Sequence, residues 1–117
     1  MARSDRNDAG GQGTEDCMPL EDIDAIDRIV HEPGRLAIMM HLWVLEEADF
    51  VYLLNATGLT RGNLGSHIAK LEEAGYVTVG KHFVGRTPRT VIALTREGRA
   101  ALVGWRDTMA EVVAALG

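Results

Sequence analysis

The apolar positions change their period along the chain, and each change marks an element. Residues 1–17 (MARSDRNDAGGQGTEDC) have no period; they are polar and glycine-rich, which predicts a disordered arm over residues 1–19. From Leu20, the positions Ile23, Ile26 and Val30 recur at helical spacing and predict a first helix. His31-Glu32-Pro33 ends it, because the residue before a proline avoids helical angles. Pro33 suits the first turn of a second helix, expected to run to about Val44. That helix is apolar almost all round (Leu36, Ile38, Met39, Met40, Leu42, Trp43, Val44), which places it in the middle of a core. Asp49 is the expected N-cap of a short third helix over 50–56, and Gly58 stands at its C-cap position. Thr60 then caps a fourth helix over 61–74, closed by Gly75. Two helices joined by Thr57-Gly58-Leu59 make a helix-turn-helix.

After Gly75 the period becomes two. Tyr76-Val77-Thr78-Val79 reads as a strand, residues 83–88 hold the Gly and Pro of a turn, and residues 89–94 read as the return strand. Thr95 caps a last helix with Glu97 in its first turn, where the helix dipole favours an acid. The expected fold is therefore mainly α, of the α+β kind: a winged helix-turn-helix of order α-α-α-α-β-β-α, with room for a short extra strand before the third helix. One domain over residues 20–117 accounts for the whole ordered chain.

Composition narrows the function. No apolar run reaches the roughly 18 residues of a membrane span. The N-terminus lacks the apolar core of a signal peptide, and the one cysteine, Cys17, allows no internal disulfide. A reducing, cytoplasmic setting without membrane attachment is expected. The net charge of −5 argues at first against nucleic acid. Its distribution reverses that: residues 1–59 hold 4 basic and 12 acidic side chains, whereas residues 60–99 hold 7 basic and 3 acidic. Phosphate binding depends on local basic surface, so a segment at +4 outweighs the total. No nucleophile, base and orienting acid stand together, and there is no phosphate-binding glycine loop, so no enzyme is indicated. The four histidines (His31, His41, His67, His82) lack ligand spacing, so no metal or other cofactor is expected; His41 reads as a core histidine.

The run from Ala56 to Leu64, continued by His67-Ile68-Ala69-Lys70-Leu71-Glu72-Glu73-Ala74-Gly75-Tyr76-Val77, resembles the winged-helix regulators related to the MarR and ArsR groups. The likeness extends through Gly85-Arg86-Thr87-Pro88-Arg89-Thr90 to Leu94-Thr95-Arg96-Glu97-Gly98-Arg99 and covers about residues 22–116. It implies a transcriptional regulator whose first and last helices build a homodimer, whose fourth helix enters the major groove and whose hairpin contacts flanking DNA. Gly65 departs from the family pattern, where serine is frequent, and so does the acidic N-terminal half.

The fourth helix carries the expected chemistry. Leu64, Ile68 and Leu71 form one apolar stripe, and the opposite face is expected to present Gly62, Asn63, Ser66, His67, Lys70 and Glu73. Asparagine suits adenine edges and arginine suits guanine edges, and a recognition helix offers its N-terminal residues to bases. Asn63, Ser66 and His67 are the expected base readers. Thr60, at the helix entrance, is a further expected DNA contact, and Arg61 is assigned to phosphate or a base edge. Lys70, Lys81, Arg86 and Arg89 are the expected phosphate or minor-groove contacts. The competing reading of these residues is a solvated helix face and a hairpin charged against aggregation. In the last helix, Leu102, Trp105, Met109, Val112 and Leu116 follow a 3,4,3,4 spacing and, with Ile23, Ile26 and Val30, predict the homodimer interface. The two fourth helices of such a dimer would meet successive major grooves roughly 34 Å apart, on a pseudo-palindromic operator of double-stranded DNA. A small-molecule effector pocket lined by Met39, Met40, Trp43 and Trp105 is a further expectation. The alternative function is a winged-helix protein-interaction module that binds no DNA.

Overall fold

A computed structural model describes residues 20–117. The elements run α1 (Leu20–Asp24), α2 (Pro33–Leu45), β1 (Glu47–Asp49), α3 (Phe50–Thr57), α4 (Arg61–Glu73), β2 (Val77–Val84), β3 (Thr87–Leu94) and α5 (Arg96–Ala114). This is the winged helix-turn-helix order, with the short extra strand in place as β1. The expected arm over residues 1–19, with Cys17, lies outside the described residues.

The first helix is much shorter than its apolar spacing predicts. The Asp27 carboxylate diverts the backbone: Oδ1 accepts from Ile29 N at 2.8 Å and Val30 N at 3.2 Å. A side chain that satisfies nearby amides competes with the helix for them. Oδ2 accepts from the Tyr76 hydroxyl at 2.5 Å, which fastens this turn to the start of the wing. Burial first, and then the Asp27 hydrogen bond, push the Tyr76 phenol up to about 12, so it remains a donor at neutral pH.

The chain divides into two compact units. Asp27–Trp105 is the larger; among the described residues the smaller combines 20–26 with Arg106–Gly117. The core of the larger unit joins Val30, Ile38, Met39, Leu42, Leu53, Leu64, Ile68, Leu71, Val77, Ile92 and Leu102. Helix α2 supplies only Ile38, Met39 and Leu42 to it. Met40, Trp43, Val44 and Leu45 are exposed, so α2 lies against the core with one side rather than through its middle. His41 likewise stands half-buried in a surface groove, edge-on to Tyr52, instead of in the core.

The caps are where the chain's own side chains place them. Glu32 Oε1 accepts from Arg35 N at 2.8 Å at the start of α2. Asp49 Oδ1 accepts from Tyr52 N at 2.7 Å at the start of α3. Thr60 Oγ1 accepts from Asn63 N at 3.1 Å at the start of α4. Helix α2 ends on Glu46 at φ 71°, a left-handed residue without the glycine that such a position favours. Two backbone bonds hold it there: Glu46 N donates to Leu42 O at 2.7 Å, and Glu46 O accepts from Leu94 N at 3.0 Å.

The sheet order is β1-β3-β2, all antiparallel. The hairpin is longer than the sequence pattern predicts, because its turn is only Gly85-Arg86, with Val84 paired to Thr87. Gly85 has φ 64° and Arg86 does not share the positive sign, the arrangement of a type II′ turn whose twist matches the strands. Pro88 therefore lies within β3, opposite Phe83. Strand β1 covers β3 only from Val91 to Ala93, so Pro88 stands where no second neighbour needs its missing amide.

Helix α5 starts under tight constraint. Thr95 Oγ1 accepts from Gly98 N at 2.9 Å and donates to Gly75 O at 2.7 Å. A Cβ on Gly98 would collide with the Tyr76 carbonyl and approach Leu94 Cδ1 at 2.7 Å. Backbone on one side leaves little room to yield. Gly98→Ala is expected to destabilise the protein by about 1–3 kcal/mol or more, read as a lowered midpoint in urea denaturation.

Candidate nucleic-acid interface

The orientation of α4 follows from its sequence period. Leu64, Ile68 and Leu71 are all buried, and this fixes which side faces out. Arg61, Gly62, Asn63, Ser66 and Lys70 are exposed on the other side. No acidic residue stands in the first turn. Glu72 and Glu73 come only at the far end, where the dipole already disfavours an anion. The N-terminal two turns thus present hydrogen-bonding and cationic groups at the positive end of the helix.

His67 does not join this face. Its side chain is 18% exposed and turns toward the start of α2. Arg35 Nη1 donates to His67 Nδ1 at 3.2 Å, which leaves the neutral ring its proton on Nε2, 3.7 Å from Glu32 Oε1. Arg35 also donates through Nε to Ile29 O at 2.6 Å. The Glu32 carboxyl is held below the usual carboxylate range, first by the hydrogen bond it accepts from the Arg35 amide and further by the Arg35 charge, against the opposing effect of burial. Gly34 makes the close approach possible: a Cβ there would meet His67 Nε2 at 2.7 Å. His67 therefore holds α4 against α2 instead of standing with Asn63 and Ser66 as an expected base reader.

The wing places Lys81, His82 and Arg86 in the open. It also exposes Phe83 and Val84 near its tip, which the alternation of the strand does not predict. Arg89 stands apart from the other cations. Its Nη1 donates to Asp49 Oδ2 at 3.0 Å. Arg61 lies 5.8 Å from the Phe50 ring centroid, over its face. A groove of about 480 Å³ between the first turn of α4 and the outer half of β3 is lined by Asp49, Phe50, Arg61, Thr87, Pro88 and Arg89, among others. Helix α4 and the wing thus share one groove.

The proposed interface residues of the last helix are divided. Val30 and Leu102 are consumed by the protein's own core and have no surface left for a partner. Trp105 Nε1 donates to His31 Nδ1 at 3.1 Å. Ile26, Met109 and Val112 are half-buried, and Ile23 and Leu116 are exposed. The four residues expected to line an effector pocket are dispersed too. Met39 is in the core, Met40 lines a groove beside Tyr52, Trp43 lies under the Arg99 guanidinium at 5.1 Å and Trp105 is bound to His31.

The winged helix DNA-binding domain family matches residues 35–113, from α2 to the end of α5. The chain belongs to that family. This winged-helix protein is 38% identical over 74 residues to an uncharacterized protein of Methanocaldococcus jannaschii, a match covering 63% of this chain and 80% of the relative. Among solved structures, a transcriptional regulator homologue from Pyrococcus horikoshii OT3 superposes with a TM-score of 0.77 at 34% identity, covering 82% of this chain and 97% of that one. A MarR-family regulator from Enterococcus faecalis V583 shares the fold at a TM-score of 0.60 and 24% identity, covering 81% of this chain and 91% of that one. The winged-helix regulator resemblance read from the sequence is thereby shown.

Gly65 interrupts the winged-helix recognition helix without a packing reason, since a Cβ there would have nothing within 4 Å. Gly65→Ala is expected to stabilise the free protein by about 0.5–1 kcal/mol through helix propensity, read as a raised thermal midpoint.

Proposed function

We propose that the protein is a transcriptional regulator that binds double-stranded DNA with α4 in the major groove and the wing on the flanking backbone. The observation that carries this reading is the outward side of α4 and the wing: Arg61, Asn63, Ser66, Lys70, Lys81 and Arg86 are all exposed on these two elements. Asn63 and Ser66 read base edges, because short hydrogen-bonding side chains at the start of a recognition helix reach them directly. Arg61 reads a base or holds a phosphate. Lys70 stands one turn further along and holds a phosphate. Lys81 and Arg86 on the wing grip phosphate or minor groove, where a narrow groove concentrates negative potential. Thr60 serves at the entrance, as the cap that keeps the first turn in place.

The acting species is a homodimer on a pseudo-palindromic operator. Support comes from the apolar side chains of the smaller unit, where Ile23, Val113 and Leu116 are exposed and Ile26, Met109 and Val112 are half-buried. Apolar surface of this kind is costly in water and is relieved by an isologous contact with a second copy. Bound to DNA, the dimer would cover promoter sequence.

Two measurements test the reading. Lys70→Ala and Arg86→Ala should each weaken binding to a duplex selected from random sequence, and each should flatten the plot of log affinity against log salt by about 0.9. An unchanged slope in either variant removes that residue from the phosphate contacts. Met109→Asp together with Val112→Asp should shift the protein from dimer to monomer in sedimentation equilibrium while the circular dichroism of the monomer stays helical. A dimer that survives both substitutions places the interface elsewhere.

A further inference from the structure

We propose that Asp49 limits the affinity for DNA: its carboxylate holds the Arg89 guanidinium and so withholds it from a phosphate of the DNA backbone. The inference rests on the DNA-binding reading above and adds a residue to it that is neither on the recognition helix nor on the wing.

The two oxygens of Asp49 have separate tasks. Oδ1 caps α3 through Tyr52 N at 2.7 Å. Oδ2 accepts from Arg89 Nη1 at 3.0 Å. The side chains are 42% exposed for Arg89 and 26% for Asp49, so water and ions reach the pair and it can exchange partners. The pair lies in the groove between the first turn of α4 and the outer half of β3, the same groove that Arg61 lines, so a phosphate that enters beside Arg61 meets Arg89 as well. The strand register explains why Arg89 is reachable there: β1 ends its pairing with β3 at Val91, and Arg89 lies two residues beyond that cover. A carboxylate and a phosphate oxygen offer a guanidinium the same acceptor geometry, so they compete for it. An exposed ion pair is a weak competitor, which tunes affinity without abolishing it.

Asp49→Asn separates the two tasks. Asparagine is as good an N-cap as aspartate, so α3 stays capped while the charge on Arg89 is released. The experiment measures binding of the full chain to two labelled duplexes, the tightest one selected from a random pool and a scrambled one, across a salt series. Thermal melting of each variant checks that the fold is unchanged. Asp49→Asn should tighten binding about two- to fivefold, the effect of one exposed ion pair. It should also steepen the salt dependence by about 0.9, because one more phosphate is neutralised. Adding Arg89→Ala should cancel both gains. Glu47→Gln removes a neighbouring charge and serves as the control, since any general gain it gives should survive Arg89→Ala. Unchanged or weaker binding by Asp49→Asn, or a gain that Arg89→Ala does not cancel, overturns the proposal alone. No salt-dependent binding by the unaltered protein overturns the DNA reading itself, and the proposal with it.

Discussion

Burial of Leu64, Ile68 and Leu71 is the constraint on which the rest of the molecule depends. Three side chains along one edge of a helix settle its rotation, and the rotation settles which groups meet a ligand. Each buried aliphatic side chain contributes roughly 1.5–3 kcal/mol, so turning α4 to present its other edge would cost several times the energy of any exposed polar contact. The polar edge is thus selected by what the core excludes. His67 refines the setting, because its ring takes a hydrogen bond from Arg35 and packs where Gly34 has no Cβ. The apolar stripe and this polar tie act on the same helix from different sides.

Charge is distributed so that an acidic protein can carry a cationic surface. The acids among the described residues fall mostly before Thr60, many of them in capping or fastening roles. Glu32 caps α2, Asp27 holds Tyr76 and Asp49 caps α3. Carboxylates at helix starts satisfy amides that would otherwise lack partners and meet the favourable end of the dipole. The basic residues follow in α4 and the hairpin. Net charge is a poor guide to such a surface, because the long-range field of the whole chain is screened within about 10 Å at moderate salt.

Most of the fold was legible in the sequence because its punctuation is chemical. Thr60, Asp49, Gly58, Pro33 and Thr95 all mark boundaries, and each acts within a few residues of itself. What failed to show were effects that need a partner distant in sequence. Asp27 shortens the first helix partly through Tyr76, 49 residues away. Arg89 finds Asp49 across 40 residues, and no periodicity reveals that pairing. His67 lies three residues after Leu64, at the edge of the buried stripe rather than on the outward side of α4, so its helical phase agrees with the side chain turning inward. The length of the hairpin was misread because Pro88 resembles a turn residue; only the shortness of β1 explains why a strand accepts it. The candidate interface was legible as a surface, while the roles of single residues within it depended on tertiary neighbours.

The two tryptophans give the fold a consequence of a different kind. Both lie in the larger unit, and each is in contact with a group from another element: Trp43 of α2 with Arg99 of α5, and Trp105 of α5 with His31. Indole emission is sensitive to a nearby cation and to the hydrogen bond on its nitrogen. The chain therefore carries its own optical reporter for the docking of the start of α5, readable without a label and distinct from the outward side of α4 and the hairpin, where no tryptophan stands.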